Sequence, residues 1–149
     1  MPCGNGRNVF LLAGHFKKVT AIDIEKDYLT GIEAVKDHYG NPHIETVQLD
    51  LLKNKLAGLN QYQLICNIHF FDQGLIRRVL GDMSEGACLL IETPSCNGGN
   101  FIDLPNETEI KTLLGSNQVL DYVFKRCNHP GNDHGRGSLK LLVKKLRSI

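Results

Sequence analysis

Apolar residues follow two spacings along this chain, one typical of strands and one typical of helices, and the two alternate. Six short segments have the apolar or alternating pattern of strands. Their sequences are KKVTAID, IETVQLD, YQLICNI, GACLLIET, QVLDYVFKR and GSLKLLVKKL. We expect GACLLIET to be a buried strand that ends at Pro94, because proline cannot donate a hydrogen bond to a neighbouring strand.

Four helices are predicted between these strands. The first covers residues 8–13, begins directly on a glycine turn and ends at Gly14, and the second covers residues 26–39 before Gly40, Asn41 and Pro42. Asp72 is a good N-cap for a third helix that ends before Gly81. The fourth starts near Pro105 and ends at Gly115.

Strands that alternate with helices at this spacing predict a parallel sheet with helices on both faces. The last two strands follow each other without a helix, which adds an antiparallel pair at the C-terminus. The predicted fold class is therefore α/β, with a doubly wound, mostly parallel Rossmann-like sheet and an antiparallel C-terminal strand pair. Because 149 residues is the size of one domain, we predict a single domain over residues 1–149.

Composition limits the classes of binding partner that the chain is expected to have. The formal net charge is +1, which leaves no excess of basic residues for nucleic acid. No apolar run approaches the roughly 20 residues that a membrane-spanning helix needs, and no signal segment is recognisable. The odd number of cysteines, five, without a C-x-x-C pair fits a reducing compartment. We therefore predict a cytoplasmic protein whose partner is a small molecule, with no nucleic acid and no membrane.

Candidate ligand-binding residues follow the strands, where ligands bind in doubly wound sheets. Gly4 and Gly6 let the backbone pass close to a ligand, and the following helix directs N–H groups toward it. Val9 stands where a dinucleotide motif has its third glycine, which counts against NAD. Asp23 can accept hydrogen bonds from ribose hydroxyls, and Asp50 lies at a similar strand end, where it can meet an adenine amino group.

The successive segments CGNGRNVFLLA, VTAIDIE, VQLDLL, YQLICNIHFF and EGACLLIET resemble, in order, the motifs of class I S-adenosylmethionine-dependent methyltransferases. More narrowly, CGNGRN and the acidic strand end after it resemble the small bacterial methyltransferases of the tellurite-resistance type. The resemblance covers essentially the whole chain. The ordered set of motifs is specific for the family, whereas each motif alone is weak evidence for it.

The resemblance implies S-adenosyl-L-methionine as cofactor and a binding site built from four turns. Its cofactor-binding residues are Cys3, Gly4, Asn5, Gly6, Asp23, Ile24, Asp50, Leu51, Asn67 and Ile68. The first four wrap the methionine part, Asp23 binds the ribose hydroxyls and Ile24 packs on adenine. Asp50 and Leu51 lie at the adenine edge, and Asn67 and Ile68 offer backbone beside the methyl-bearing sulfur.

On the substrate side the resemblance places His69, Phe70 and Phe71. His69 is the candidate catalytic residue as a general base, although a histidine beside two phenylalanines is often a core or rim residue. Arg7 either anchors an anionic substrate or faces solvent. The implied function is methyl transfer to a small-molecule acceptor, and a soft acceptor, such as a thiol or a metalloid oxyanion, follows from the resemblance alone.

One departure from the family pattern supports alternatives. Family members have a strand ending in an acidic residue before the glycine turn, where this chain has Met1 and Pro2, so the fold is N-terminally truncated relative to the family. Either the natural protein begins earlier or something else fills the place of this central strand. The alternatives are a truncated or non-catalytic Rossmann-like domain that acts through association, including a homodimer through exposed strand edges, and an NAD-dependent oxidoreductase.

The segment CNHPGNDHGRG gathers potential metal ligands, namely Cys127, His129, Asp133 and His134. Their spacing matches no common zinc pattern. We therefore predict no metal site and interpret this segment as a loop over the active site.

Overall fold

The computed structural model describes residues 2–41, 43–96, 107–127 and 136–146. The chain divides into two compact units, Met1–Lys55 and Leu56–Ile149. The single domain expected over residues 1–149 stays a prediction. Pro42, Pro105 and the potential metal ligands His129, Asp133 and His134 lie outside the described residues.

The first unit contains two helices and two strands in alternation. They are α1 (Arg7–Ala13), β1 (Val19–Asp23), α2 (Lys26–His38) and β2 (Ile44–Gln48). β1 and β2 pair in parallel, from Val19 opposite Ile44 to Asp23 opposite Gln48. Gly40 has a φ of 60°, the left-handed conformation that commonly follows a helix end, just beyond α2. The elements predicted for this half of the chain are therefore confirmed.

The core of the first unit forms where α1 contacts β1 and α2 contacts both β1 and β2. Val9 of α1, Ala21 of β1, Ile32 of α2 and Ile44 of β2 are buried together, with Cys3 and other half-buried residues packed against them. Val9, which replaces the third glycine of a dinucleotide motif, is 5% exposed. Its side chain therefore fastens α1 to the core, as apolar burial would dictate.

The second unit contains four strands, two helices and a short 3-10 helix at Leu59–Gln61 that the sequence pattern did not predict. The regular elements are β3 (Leu64–Ile68), α3 (Gln73–Asp82), β4 (Cys88–Cys96), α4 (Glu107–Leu114), β5 (Gln118–Cys127) and β6 (Arg136–Lys144). The strand order is β3-β4-β6-β5. β3 and β4 are parallel, whereas β6 is antiparallel to both β4 and β5. The predicted antiparallel C-terminal pair is confirmed.

One face of β3, β4 and β6 in this second sheet is buried. Asn67 of β3 lies opposite Ile91 of β4, which lies opposite Leu141 of β6, and all three side chains are at most 1% exposed. The buried side chains of α3 and α4 are apolar as well. They are Leu75, Ile76, Val79, Leu80, Ile110, Leu113 and Leu114. Among the described residues of this layer, Asn67 and Thr93 are therefore polar and the others are apolar.

Two predicted boundaries are wrong by a few residues. β4 continues through Pro94 to Cys96, because β3 pairs with β4 only as far as Glu92, so at Pro94 a single neighbouring strand remains. α3 continues through Gly81 to Asp82, and a glycine inside a helix costs only about 1 kcal/mol relative to alanine. Tertiary pairing and packing outweigh the local signal at both positions.

Among the described residues the hydrogen-bonded strands form two sheets: β1 pairs with β2 in one, and β3 is an outer strand of the other. β5 is the opposite outer strand. Within the part of the chain that the structure describes, no helix is long and apolar enough to cross a membrane.

Candidate functional site

The glycine turn precedes α1 and is held by backbone hydrogen bonds. The N–H of Cys3 donates to the carbonyl of Ile22 in β1 at 2.9 Å, and the N–H of Gly6 donates to the carbonyl of Cys3 at 3.1 Å. Gly4 and Gly6 have φ values of 50° and 81°, which lie in the left-handed region that glycine adopts without strain. The turn therefore runs beside the carboxyl end of β1 as a fixed backbone feature.

Asp23, the last residue of β1, fastens this turn. Its Oδ2 accepts a hydrogen bond from the N–H of Gly4 at 2.8 Å, and its Oδ1 accepts one from the N–H of Glu25 at 3.1 Å. The side chain is 6% exposed. A carboxylate has about four acceptor positions, so Asp23 keeps acceptor capacity beyond these two bonds. The predicted hydrogen bonds to ribose hydroxyls are compatible with this geometry and stay a prediction.

Cys3 lies beside Asp23 and is half-buried. Burial raises the pKa of the Cys3 thiol to about 11, and the negative charge of Asp23 acts in the same direction. Because this pKa lies well above 7, the thiol keeps its proton at neutral pH. Only the deprotonated thiolate is reactive. Cys3 therefore serves the turn as a small packing residue and not as a nucleophile.

Two exposed apolar side chains follow the strands of the first unit. Ile24, which the family resemblance places against adenine, is 53% exposed directly after Asp23. The side chain of Gln48 donates from Nε2 to the carbonyl of Ile24 at 3.1 Å and so fixes this residue's backbone. Leu51, predicted at the adenine edge, is 5% exposed, whereas the adjacent Leu52 is 55% exposed. The sequence pattern did not single out Gln48 or Leu52, because neither differs locally from an ordinary strand-end residue.

Asp50 closes the turn after β2. Its Oδ1 accepts hydrogen bonds from the N–H groups of Leu52 at 3.0 Å and Lys53 at 3.3 Å, and Lys53 Nζ lies 3.3 Å from Oδ2. Although desolvation acts in the opposite direction, these donors hold the pKa of Asp50 below its usual range. The carboxylate thus stays ionised and shapes the backbone, which leaves its predicted contact with adenine untested.

In the second unit the turn between β3 and α3 carries the remaining predicted residues. Asn67 is fully buried and donates from Nδ2 to the carbonyl of Phe70 at 2.7 Å. His69 has a φ of 59° and donates its N–H to the carbonyl of Glu92 at 2.6 Å. Its side chain is exposed, while Ile68, Phe70 and Phe71 are half-buried. The His69 imidazole is therefore exposed at the surface of the turn, and its role as a general base stays a prediction.

The predicted residues are brought together in two groups. The first group is the glycine turn with Asp23, and the second is Asn67 with His69 and Phe70. Asn5 and Arg7 are exposed beside the first group, so Arg7 is accessible to an anion. Among the described residues no group of three or more histidine, cysteine, aspartate or glutamate side chains could hold a metal ion.

No protein-family model and no curated protein sequence matches the chain. Solved structures do share its fold. TehB from Haemophilus influenzae superposes with a TM-score of 0.79 at 19% identity, over 97% of this chain and 55% of TehB. Coclaurine N-methyltransferase, bound to N-methylheliamine and SAH, superposes with a TM-score of 0.78 at 13% identity, over 97% of this chain and 66% of the enzyme.

A third neighbour has a different activity. The [4+2]-cyclase SpnF superposes with a TM-score of 0.78 at 11% identity, over 99% of this chain and 73% of the cyclase. This chain thus spans 55% of the length of TehB and 66% of that of the N-methyltransferase. These identities show a shared architecture, which one fold can combine with several activities. The chain has the class I fold of S-adenosylmethionine-dependent methyltransferases, as its ordered motifs predict.

Proposed function

We propose that this chain binds S-adenosyl-L-methionine and takes part in methyl transfer to a small-molecule acceptor. The observation that carries the proposal is the glycine turn fastened by buried Asp23 at the carboxyl end of β1. A backbone turn at the carboxyl end of a parallel strand lies where doubly wound sheets bind their ligands. The class I fold supports the same assignment.

The open side of the turn fits the cofactor. A Cβ added at Gly4 would meet no atom within 4 Å, so space remains beside the backbone there. Asp23 would accept from the ribose hydroxyls and exposed Ile24 would pack on adenine. The residues from Cys3 to Gly6 would wrap the methionine part, and Asp50 with Leu51 would lie at the adenine edge. In a second turn, Asn67 and Ile68 would offer backbone to the sulfonium region.

When bound, the cofactor supplies a sulfonium methyl group, and the protein's contribution is to hold it in line with the acceptor. Exposed His69 would take the acceptor's proton, and half-buried Phe70 and Phe71 would exclude water. Arg7, exposed at the start of α1, would attract an anionic acceptor. A soft acceptor, such as a thiol or a metalloid oxyanion, needs the least acid–base assistance.

Calorimetric titration with S-adenosylmethionine and S-adenosylhomocysteine tests the proposal. We expect wild type to bind both and Asp23→Ala to bind at least tenfold more weakly, a loss of about 1.4 kcal/mol. Asp27→Ala is the matched control, because Asp27 is an exposed carboxylate on α2 four residues away. It should bind like wild type, and circular dichroism should show that all three proteins are folded. Absence of binding by wild type would remove the proposal.

A second candidate function is association through strand edges. β5 is an outer strand, and Val119 and Leu120 on it are 45% and 47% exposed. Exposed apolar edge strands are templates for pairing with another chain. Light scattering decides between the candidates, because a monomer that binds the cofactor supports the enzyme.

A further inference from the structure

Asn67 combines a buried position with an unsatisfied polar atom. Its side chain is 0% exposed, and its Oδ1 has no hydrogen-bond partner within the described ranges of the chain. The residue lies in the buried layer beside Ile91 and close to Ile65 on the same face of β3. A buried carbonyl oxygen without a donor carries its full desolvation cost, whereas an apolar side chain of the same shape would not.

The amide end of the same side chain has a defined task. Asn67 Nδ2 donates to the carbonyl of Phe70 at 2.7 Å, across the turn that contains His69. This contact closes residues 67–70 into a loop, with the N–H of His69 bonded to Glu92 on the other side. Beyond it, Asp72 Oδ1 accepts from the N–H of Leu75 at 2.6 Å and fixes the start of α3.

The closed turn holds His69 in a conformation that it would not adopt alone. His69 is the non-glycine residue with a positive φ, 59°, in the part of the chain described here. Left-handed backbone is unfavourable for residues with a Cβ and persists only where the surroundings impose it. Two unfavourable features, the left-handed His69 and the unpaired Asn67 Oδ1, therefore occur within three residues. Strained backbone of this kind is enriched at active sites and ligand-binding turns.

We propose that Asn67 is a positioning residue whose side chain sets the left-handed turn that presents His69 to the ligand. The part of this inference that concerns ligand binding rests on the proposed function, whereas the part that concerns the turn does not. The family resemblance assigns only the backbone of Asn67 to the cofactor. The geometry assigns a separate role to the side chain, which acts through the turn and touches no ligand itself.

Asn67→Leu is the decisive variant, because leucine fits the apolar layer, lacks the amide donor and removes the unpaired oxygen. We expect its urea midpoint to stay close to that of wild type, since the cost of the buried oxygen disappears while the Phe70 carbonyl loses its donor. At the same time the HN–Hα coupling and the Cα and Cβ shifts of His69 should leave the values of a left-handed residue. Affinity for S-adenosylhomocysteine should fall at least tenfold.

Two further variants keep the test informative. Thr93→Val is the matched control, because Thr93 is 2% exposed on the same buried face but outside the turn. It should leave the His69 signals and the affinity unchanged, whatever its stability. Asn67→Asp keeps an acceptor but, when ionised, loses the donor to Phe70, so it should lose the left-handed His69 signature. It should regain that signature when the carboxyl group is protonated at low pH.

The outcomes separate the two proposals. If wild type binds neither S-adenosylmethionine nor S-adenosylhomocysteine, the proposed function is wrong, and the His69 coupling in Asn67→Leu still decides whether the side chain sets the turn. An unchanged coupling in folded Asn67→Leu overturns the positioning role. So does an affinity within twofold of wild type, provided wild type binds.

Discussion

Gly4 and Gly6 have similar backbone conformations but differ in the space that their surroundings leave for a side chain. Both have a positive φ, but a Cβ at Gly6 would lie 2.6 Å from Cγ1 of Ile32, whereas Gly4 faces open space. The position of both glycines before a helix predicted that they form a turn. It could not predict the contact with Ile32, because that contact depends on how α2 packs in the core.

We therefore expect Gly6→Ala to destabilise the fold by about 2–4 kcal/mol, from left-handed strain and the clash with Ile32. Gly4→Ala should cost about 1–2 kcal/mol, from strain alone. Gly31→Ala is the control, since Gly31 lies inside α2 with open space, and it should stabilise by about 0.4–1 kcal/mol. Urea unfolding measures all three free energies. Equal losses at Gly4 and Gly6 would contradict the role of the Ile32 contact.

Cys3 reports on Asp23 through its pKa. Burial, assisted by the charge of Asp23, raises this pKa from 9.0 to about 11 in the folded chain. As pH rises above 9.0, the unfolded thiol loses its proton first. The stability that the neutral thiol contributes is therefore present below pH 9.0 and is lost as pH rises toward about 11.

Alkylation of Cys3, followed by peptide mass spectrometry across this pH range, measures the shift. We expect the apparent pKa of Cys3 to fall in Asp23→Asn, because the carboxylate charge is gone. The urea-unfolded chain supplies the reference rate, and Asp27→Asn the surface control. A Cys3 that reacts at the same rate when folded and unfolded would show that the burial is not realised in solution.

At the scale of elements, α3 has the clearest local signal in the chain. Asp72 was predicted as its N-cap, and its Oδ1 does accept from the N–H of Leu75. The opposite end was less predictable, because Gly81 continues the helix and Met83 follows it. An N-cap depends on one side chain and the three residues that follow it, so it can be predicted from local sequence. The C-terminal end of α3 depends on packing, which the local sequence does not specify.

Asp72→Ala should therefore destabilise the chain by about 1 kcal/mol, since the N–H of Leu75 loses its acceptor. Asp82→Ala tests the same charge change at the other end of α3, where an acidic residue faces the negative end of the helix dipole. It should be neutral or stabilise by a few tenths of a kcal/mol. Thermal and urea unfolding measure both variants. A cost at Asp82 equal to that at Asp72 would argue that general charge, and not capping, controls this helix.

The strand elements were predicted by apolar pattern, while their pairing order was only partly predictable. The parallel pairs follow from alternation with helices, and the antiparallel C-terminal pair from two consecutive strands. The insertion of β6 between β4 and β5 was not foreseen, because it depends on pairings between residues as distant as Cys88 and Lys144. The continuation of β4 through Pro94 was not predictable for the same reason, since it depends on pairing with β6.

At the scale of the whole molecule, the exposed edges give the last prediction. β5 ends the four-stranded sheet, and a register shift between Val119 and Asp121 interrupts its pairing with β6. Such an irregularity makes the edge a poorer template for pairing with a strand of another chain. The exposed apolar residues Val119 and Leu120 act in the opposite direction and favour association. If the apolar contribution is larger, wild type should form dimers whose fraction rises with concentration.

In that case Val119→Lys and Leu120→Lys should each shift the equilibrium toward monomer, because a charge on an edge strand opposes pairing. Tyr39→Lys is the matched control, since Tyr39 is 75% exposed outside the sheets and should leave the equilibrium unchanged. Size-exclusion chromatography with light scattering measures the mass of each protein. A wild type that stays monomeric at every concentration would reject association, and dimers unaffected by both β5 variants would place the interface on another surface.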